Sequence, residues 1–208
     1  MEKKIAKILL DIKAVTLSPH EPFTWASGIK SPIYCDNRLL LSYPHEWNII
    51  TEAMVEILKK EFPDADGLMG TATAGIPHAS VCAYKMMLPS GFVRSSAKDH
   101  GTGNKIEGKI FPGMKVVVIE DLISTGGSSI SAVNALLDAG CDVLGVLAIF
   151  TYGMKKAEET MKQVKTLSLT SYQDLIPCAV EEKYINNDDV EKLKKFMGNP
   201  SDDSWMES

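Results

Sequence analysis

What this sequence does not contain narrows its function before any motif is read. No apolar run approaches the roughly 20 residues that span a bilayer, so no membrane partner is expected. The four cysteines, Cys35, Cys82, Cys141 and Cys178, form no C-x-x-C pair, and no His/Cys cluster has zinc-site spacing. No secretory leader pattern is present, so reduced thiols and a cytoplasmic setting are expected. Positive charge is short as well: 22 Lys and Arg stand against 27 Asp and Glu, a net charge of −5. General nucleic-acid binding needs basic patches that neutralise phosphates, so no nucleic-acid partner is expected. Internal repeats and low-complexity segments are also missing.

What is present suits one globular domain able to bury a core: 208 residues, 45% hydrophobic and 24% charged. Charged and apolar residues alternate at helical spacing over "MEKKIAKILLDIKAV". A Pro-, Gly-, Ser- and aromatic-rich stretch follows and predicts short strands and turns. Ser42 then stands where it could cap a helix containing Pro44, with Ile49, Ala53, Ile57 and Leu58 as its apolar stripe. Beyond this, apolar strands alternate with helical patterns: strands at 66–71, 91–96, 115–121, 142–152 and 166–170, helices at 74–87, 128–140 and 155–165. That alternation implies an α/β fold with a parallel sheet covered on both faces. The expected organisation is one domain over 1–208. An N-terminal helix and cap occupy 1–63, the α/β core 64–170, and a C-terminal helical segment with a frayed tail 171–208.

The chemistry concentrates in "MKVVVIEDLISTGGSSISAVNALL", Met114 to Leu137. An apolar strand ends in two acids, then a Ser/Thr/Gly turn, then a helix. Ligands of open parallel sheets bind beyond the strands' carboxyl ends. Successive N–H groups in a tight turn at a helix start make an anion site, and Thr125, Gly126, Gly127 and Ser128 fit it. No lysine follows the glycines, so this is not a Walker A loop, and the dinucleotide fingerprint G-x-G-x-x-G is absent. A monophosphate is favoured over a triphosphate. Glu120 and Asp121 would repel a phosphate they faced, but they suit a sugar diol or a nearby metal ion. A ribose 5-phosphate satisfies both halves. A second segment, "VRSSAKDHGTGNKIEGK", is a long polar loop with four Lys/Arg against two Asp/Glu from Arg94 to Lys109. It suggests a lid over a second anionic group.

Together these residues resemble the type I phosphoribosyltransferases, whose hallmark is an apolar strand, two acids and a T/S-G-G-x loop. Arg94, Lys98, His100 and Gly101, with "FTWASGIKSPIYCDNR" from Phe23 to Arg38, are similar to the orotate phosphoribosyltransferase family in particular. The resemblance implies that family's fold: a central, mostly parallel sheet flanked by helices, with a small N-terminal hood. It implies transfer of a phosphoribosyl group from phosphoribosyl pyrophosphate to orotate, with Mg²⁺ carried by the pyrophosphate rather than held by dedicated protein ligands. It also implies a homodimer in which each lid reaches into the other site. Arg94, Lys98, His100 and Asp121 take the catalytic roles. The phosphoribosyl pyrophosphate site comprises Arg94, Lys98, His100 and the run Glu120, Asp121, Leu122, Ile123, Ser124, Thr125, Gly126, Gly127 and Ser128. Ser124 also matches a position that contacts orotate, and "GTATAGIP", Gly70 to Pro77, resembles the loop that takes pyrophosphate.

The chain departs from the family pattern at several cations. Ser95 and Ser96 follow the lid arginine where lysine is common, Ala74 and Ala26 stand at two other lysine positions, and no arginine follows the late strand near Tyr152. Lys30, Lys105 or Lys109 are the candidates to supply the missing charge. Two rival readings stay open at this point: a phosphoribosyltransferase for another base, and a regulator that senses phosphoribosyl pyrophosphate.

Overall fold

Val116 to Ile119 are wholly buried, which a strand achieves only when helices cover both faces of its sheet. The computed structural model describes residues 1–25, 27–95 and 105–207. In chain order it has α1 (Glu2–Asp11), β1 (Val15–Leu17), β2 (Phe23–Thr24), β3 (Lys30–Ser31), β4 (Ile33–Cys35), a 3₁₀ turn (Asn37–Ser42) and α2 (Pro44–Glu61). The core follows as β5 (Gly67–Thr71), α3 (Gly75–Met86), β6 (Ser90–Val93), β7 (Ile106–Glu107), β8 (Lys115–Ile123), α4 (Gly127–Asp138) and β9 (Asp142–Thr151). Then come α5 (Lys155–Met161), β10 (Thr166–Ser171), α6 (Tyr172–Glu181), α7 (Asn187–Gly198) and a last 3₁₀ turn (Asp203–Glu207).

The main sheet runs β10-β9-β8-β5-β6-β7, parallel throughout except for β7. From β5 the chain moves outward to β6, whereas from β8 it moves the other way to β9 and β10. β5 and β8 are therefore the neighbours at which strand order reverses, and a crevice opens at their carboxyl ends. The two crossover helices lie on opposite faces. Ala79, Cys82 and Ala83 of α3 join one apolar cluster with Val117 and Ile119, while Ala132, Val133 and Leu136 of α4 join another with Val116 and Val118.

The expected strands and helices are present, with differences that have local causes. β8 runs two residues past Asp121, because Leu122 and Ile123 still pair with Phe150 and Thr151. β6 stops at Val93, where the chain turns into the lid segment, and β7 returns antiparallel with Val93 opposite Ile106. Ser42 does not cap α2: it ends the preceding 3₁₀ turn, and Tyr43 at the cap makes no side-chain bond. The buried stripe of α2 is Ile50, Ala53, Met54 and Leu58, with Ile49 and Ile57 half-buried. α5 ends at Met161, four residues short of its expected length. α6 forms despite an interior Pro177, started by a Ser171–Asp174 capping box.

A larger correction concerns the C-terminal end. The tail expected to fray is packed: Trp205 is 1% exposed and joins the main apolar cluster. At the other end Ile5, Leu9 and Leu10 of α1 are buried in the same cluster, and the helix packs on α6 and β10. Among the described residues, the pairs β1–β4 and β2–β3 form two small sheets of their own, the hood. Leu9→Ala is accordingly expected to cost about 2–5 kcal/mol in urea unfolding of the whole domain. An unchanged midpoint would mean that α1 is not part of the core.

Candidate active site

The crevice between β5 and β8 is entered by two helices whose first turns carry no side-chain cap. α3 begins after Ala74 and α4 after Gly126, neither with a capping hydrogen bond. Their positive dipole ends are therefore not occupied by a capping side chain and suit an anion, although the Ile76 amide of α3 already donates to the Thr73 carbonyl at 3.3 Å. Gly126 is left-handed at φ 78°, and a Cβ there would lie 2.9 Å from Met161 Cγ, so glycine is required on two counts. Gly75 is required by proximity: its Cβ would fall 2.4 Å from the Ile119 carbonyl oxygen, and this contact packs the Gly70–Pro77 loop onto β8. The Ala72–Thr73 peptide in that loop is cis.

Adjacent side chains of a strand point to opposite faces, and the two acids obey this. Glu120 continues the face of Val116 and Val118 toward α4. It is 4% exposed and accepts from Thr71 Oγ1 at 2.5 Å, Ser128 Oγ at 3.1 Å, Ser129 Oγ at 3.0 Å and its neighbour's amide at 3.3 Å. Asp121 lies on the other face, toward the hood. Its carbonyl accepts from Asn37 Nδ2 at 2.7 Å. Burial first, and then the neighbouring Glu120 carboxylate, push its carboxyl up to about 7. Asp121 in turn helps raise the Cys35 thiol, which burial already pushes well above its ordinary range.

Beside these acids lies a cavity of 870 Å³. One wall is the hood, with Thr24, Trp25 and Ile29; the floor is Leu122, Ser124 and Thr125. Tyr152, Met154, Lys155 and Lys156 come from the end of β9 and the start of α5, and Met197, Gly198, Pro200 and Ser201 from the C-terminal segment. Trp25 and Tyr152 pack with ring centroids 5.4 Å apart, which gives the cavity an aromatic side able to receive a planar ring. Tyr152 is held there by its amide, which donates to the Ile123 carbonyl at 3.1 Å.

The expected site residues are distributed accordingly. Leu122, Ser124 and Thr125 meet at the cavity, and Gly126, Gly127 and Ser128 form the start of α4. Ile123 is buried in the apolar cluster under α4, and its carbonyl accepts from Thr151 Oγ1 and the Tyr152 amide. Glu120 and Asp121 do not share one face. Arg94 stands at the end of β6, 3.4 Å from Glu107 Oε1, where the β6–β7 pair closes the base of the lid segment. Lys98, His100 and Gly101 lie outside the described residues, as does Ala26. Of the candidate replacement cations, Lys30 donates to Thr24 Oγ1 at 2.7 Å, Lys105 lines a groove along α4, and Lys109 is exposed. The sequence reading did not name Trp25, Ser129, Lys155, Lys156 or the C-terminal wall. Lys155 and Lys156 sit just where the family arginine was missed after Tyr152.

A carboxyl whose folded value lies above its unfolded one holds a proton that the unfolded chain has released, so it lowers stability as pH rises from about 4 through about 7. Asp121→Asn removes this penalty. Thermal melts should show the variant gaining on the native chain between pH 4.5 and pH 8, and an equal or lower melting temperature at pH 8 would count against the assignment.

Comparison with known proteins agrees with this geometry. The phosphoribosyl transferase domain family matches residues 40–183. The orotate phosphoribosyltransferase of Bacillus pumilus is 55% identical over 100% of this chain and 99% of its own, and that of Listeria monocytogenes is 53% identical over 99% and 98%. Among solved structures, the orotate phosphoribosyltransferase from Aeropyrum pernix superposes with a TM-score of 0.75 at 26% identity, covering 88% of this chain and 99% of that one. The strand order, the crevice between β5 and β8 and the full-length identity converge, and the chain belongs to the orotate phosphoribosyltransferase family of the phosphoribosyl transferase domain proteins.

Proposed function

We propose that this protein transfers the 5-phosphoribosyl group of phosphoribosyl pyrophosphate to the ring nitrogen of orotate. The products are orotidine 5′-monophosphate and pyrophosphate, in cytoplasmic pyrimidine nucleotide synthesis. One observation carries the reading: an uncapped, glycine-entered helix start opens at the same sheet edge as an aromatic-walled cavity that holds two lysines. The 5′-phosphate suits the start of α4, the pyrophosphate the start of α3, and the base the cavity, where Lys155 and Lys156 are the cations available to a carboxylate.

In the reaction the ring nitrogen of orotate bonds to C1 of the ribose and gives up its proton to the departing pyrophosphate, while the bond from C1 to the pyrophosphate oxygen breaks and its electron pair leaves with pyrophosphate. Arg94, Lys98 and His100 serve as the cationic side chains that stabilise that developing charge. Closure of the lid excludes the water that would otherwise hydrolyse the activated sugar. Asp121, on the hood face, is the acid available to the ribose diol, since Glu120 is engaged by four protein donors. The donor set suits Mg²⁺ delivered on the substrate, an ion that commonly takes one or two carboxylates plus substrate phosphates; Asp121 would be the carboxylate to hold it. Bound there, Mg²⁺ supplies neutralisation of charge on the pyrophosphate. A homodimer belongs to the same proposal. It is supported by the large apolar side chains left exposed, Tyr84 and Met87 at the end of α3 and Leu39, Leu41 and Tyr43 before α2.

The test is the near-ultraviolet absorbance of orotate incubated with protein, phosphoribosyl pyrophosphate and Mg²⁺, with adenine, hypoxanthine and uracil run in parallel and their nucleotides sought by chromatography. Orotate alone should be consumed, and only with both other components present. Lys98→Ala should slow turnover by about a hundredfold or more. Consumption of another base in place of orotate, or of none, would refute the assignment. Lys155→Ala and Lys156→Ala should divide the loss of orotate affinity between them, each raising KM for orotate while leaving KM for phosphoribosyl pyrophosphate within about twofold.

A further inference from the structure

The base cavity is not closed by the phosphoribosyltransferase core alone. Four of its lining residues, Met197, Gly198, Pro200 and Ser201, come from the last helix and the segment after it. We infer that the C-terminal segment is a strap that holds the hood over the base-binding cavity, with Phe196, Gly198 and Trp205 as positioning residues for the base. This rests on the assignment of the cavity to the base, given above.

The strap grips the hood at both ends of α7. At its start, Asp189 is 3% exposed; one carboxylate oxygen accepts from the Asn186 amide at 3.0 Å, and the other lies 2.8 Å from Nε2 of His20 in the segment leading to β2. At its end a chain of rings runs from the tail to the cavity wall. Trp205 meets Phe196 edge-on at 5.7 Å, Phe196 meets Trp25 edge-on at 5.9 Å, and Trp25 packs on Tyr152 at 5.4 Å. Such edge-to-face pairs fix orientation as well as burying area. Trp25 is held from the hood side too, its indole N–H donating to the Ile33 carbonyl at 3.2 Å and its amide to the Ile29 carbonyl at 2.9 Å. The middle of α7 is fastened to the core, where Tyr172 Oη donates to the Leu193 carbonyl at 3.1 Å. Hood, tail and late strand thus share one aromatic joint, whereas the phosphate-binding helix starts are built by β5–α3 and β8–α4. The strap therefore sets the position of the base and leaves the ribose phosphate to the core.

Gly198 offers a substitution that tests the wall without breaking the fold. It lines the cavity, its φ lies outside the left-handed region, and a Cβ built there meets nothing within 4 Å. Gly198→Leu in the full chain should raise KM for orotate by about tenfold or more while KM for phosphoribosyl pyrophosphate, kcat and the melting temperature stay within about twofold or unchanged. Trp205→Ala should loosen the hood, so that hydrogen exchange at the Trp25 and Gly28 amides accelerates by about tenfold or more while β8 amides stay protected. An unchanged orotate KM in Gly198→Leu, or one that rises in step with KM for phosphoribosyl pyrophosphate, would overturn the proposal. So would unchanged hood exchange in Trp205→Ala. If the native chain consumes no orotate, the functional reading fails by itself, and the exchange measurement still decides whether the strap holds the hood.

Discussion

A single buried carboxylate organises the crevice on which the rest depends. Taking a charge out of water is costly unless hydrogen bonds replace the water, and Glu120 is supplied with them by Thr71 from β5, by Ser128 and Ser129 from α4, and by the next amide of its own strand. Those donors belong to the two crossover units whose helix starts open on the ligand side. The carboxylate therefore fixes the spacing between the two uncapped helix starts. It does so at the point where strand order reverses, where no crossover covers the gap. With Glu120 so committed, Asp121 is the acid left for the hood side.

The site divides into two chemistries that different parts of the chain supply. The core provides backbone amides and helix dipoles for phosphate, features that need glycine and small hydroxyl residues at close quarters. The hood, the end of β9 and the C-terminal strap provide rings and long side chains around a cavity for a planar group. The departures from the family pattern fall on both sides of this division: Ala74 lies in the core loop before α3 and Ser95 and Ser96 follow Arg94, while Ala26 belongs to the N-terminal motif and Lys155 and Lys156 follow the late strand.

The sequence disclosed what is encoded locally. Met114 to Leu137 carries a strand, a turn and a helix within one stretch, and the structure has all three where the pattern put them, with β8 two residues longer. The strand alternation, the close of α4 near Gly140 and the α/β class follow from short-range periodicity in the same way. The facing of Glu120 and Asp121 was also legible, since period-two alternation forbids two successive residues from sharing a face, but grouping them as one diol clamp hid it. Contacts between distant segments were not legible. Nothing local marks Trp25, Phe196 and Trp205 as one edge-to-face chain of rings, and a tail of Asn, Pro, Ser and Asp gives no hint that its tryptophan is buried. α6 was masked by Pro177, which ordinarily breaks a helix. Lys155 and Lys156 read as the polar face of an exposed helix until the fold brings the start of α5 against the cavity.

The most direct test of the central claim separates Glu120 as organiser from Glu120 as ribose ligand. Glutamine keeps the shape but removes the charge and turns one of the two accepting oxygens into a donor, so where Glu120 Oε2 accepts from Ser128 and Ser129 an amide nitrogen would reverse both bonds. Calorimetric titration of Glu120→Gln with Mg²⁺-pyrophosphate, which has no ribose, and with ribose 5-phosphate is the measurement. If the carboxylate sets the spacing of the two anion sites, both ligands lose about tenfold or more in affinity, as expected when a buried charge-assisted network is broken. Unaltered pyrophosphate binding, with loss confined to the ribose-bearing ligand, would contradict the account.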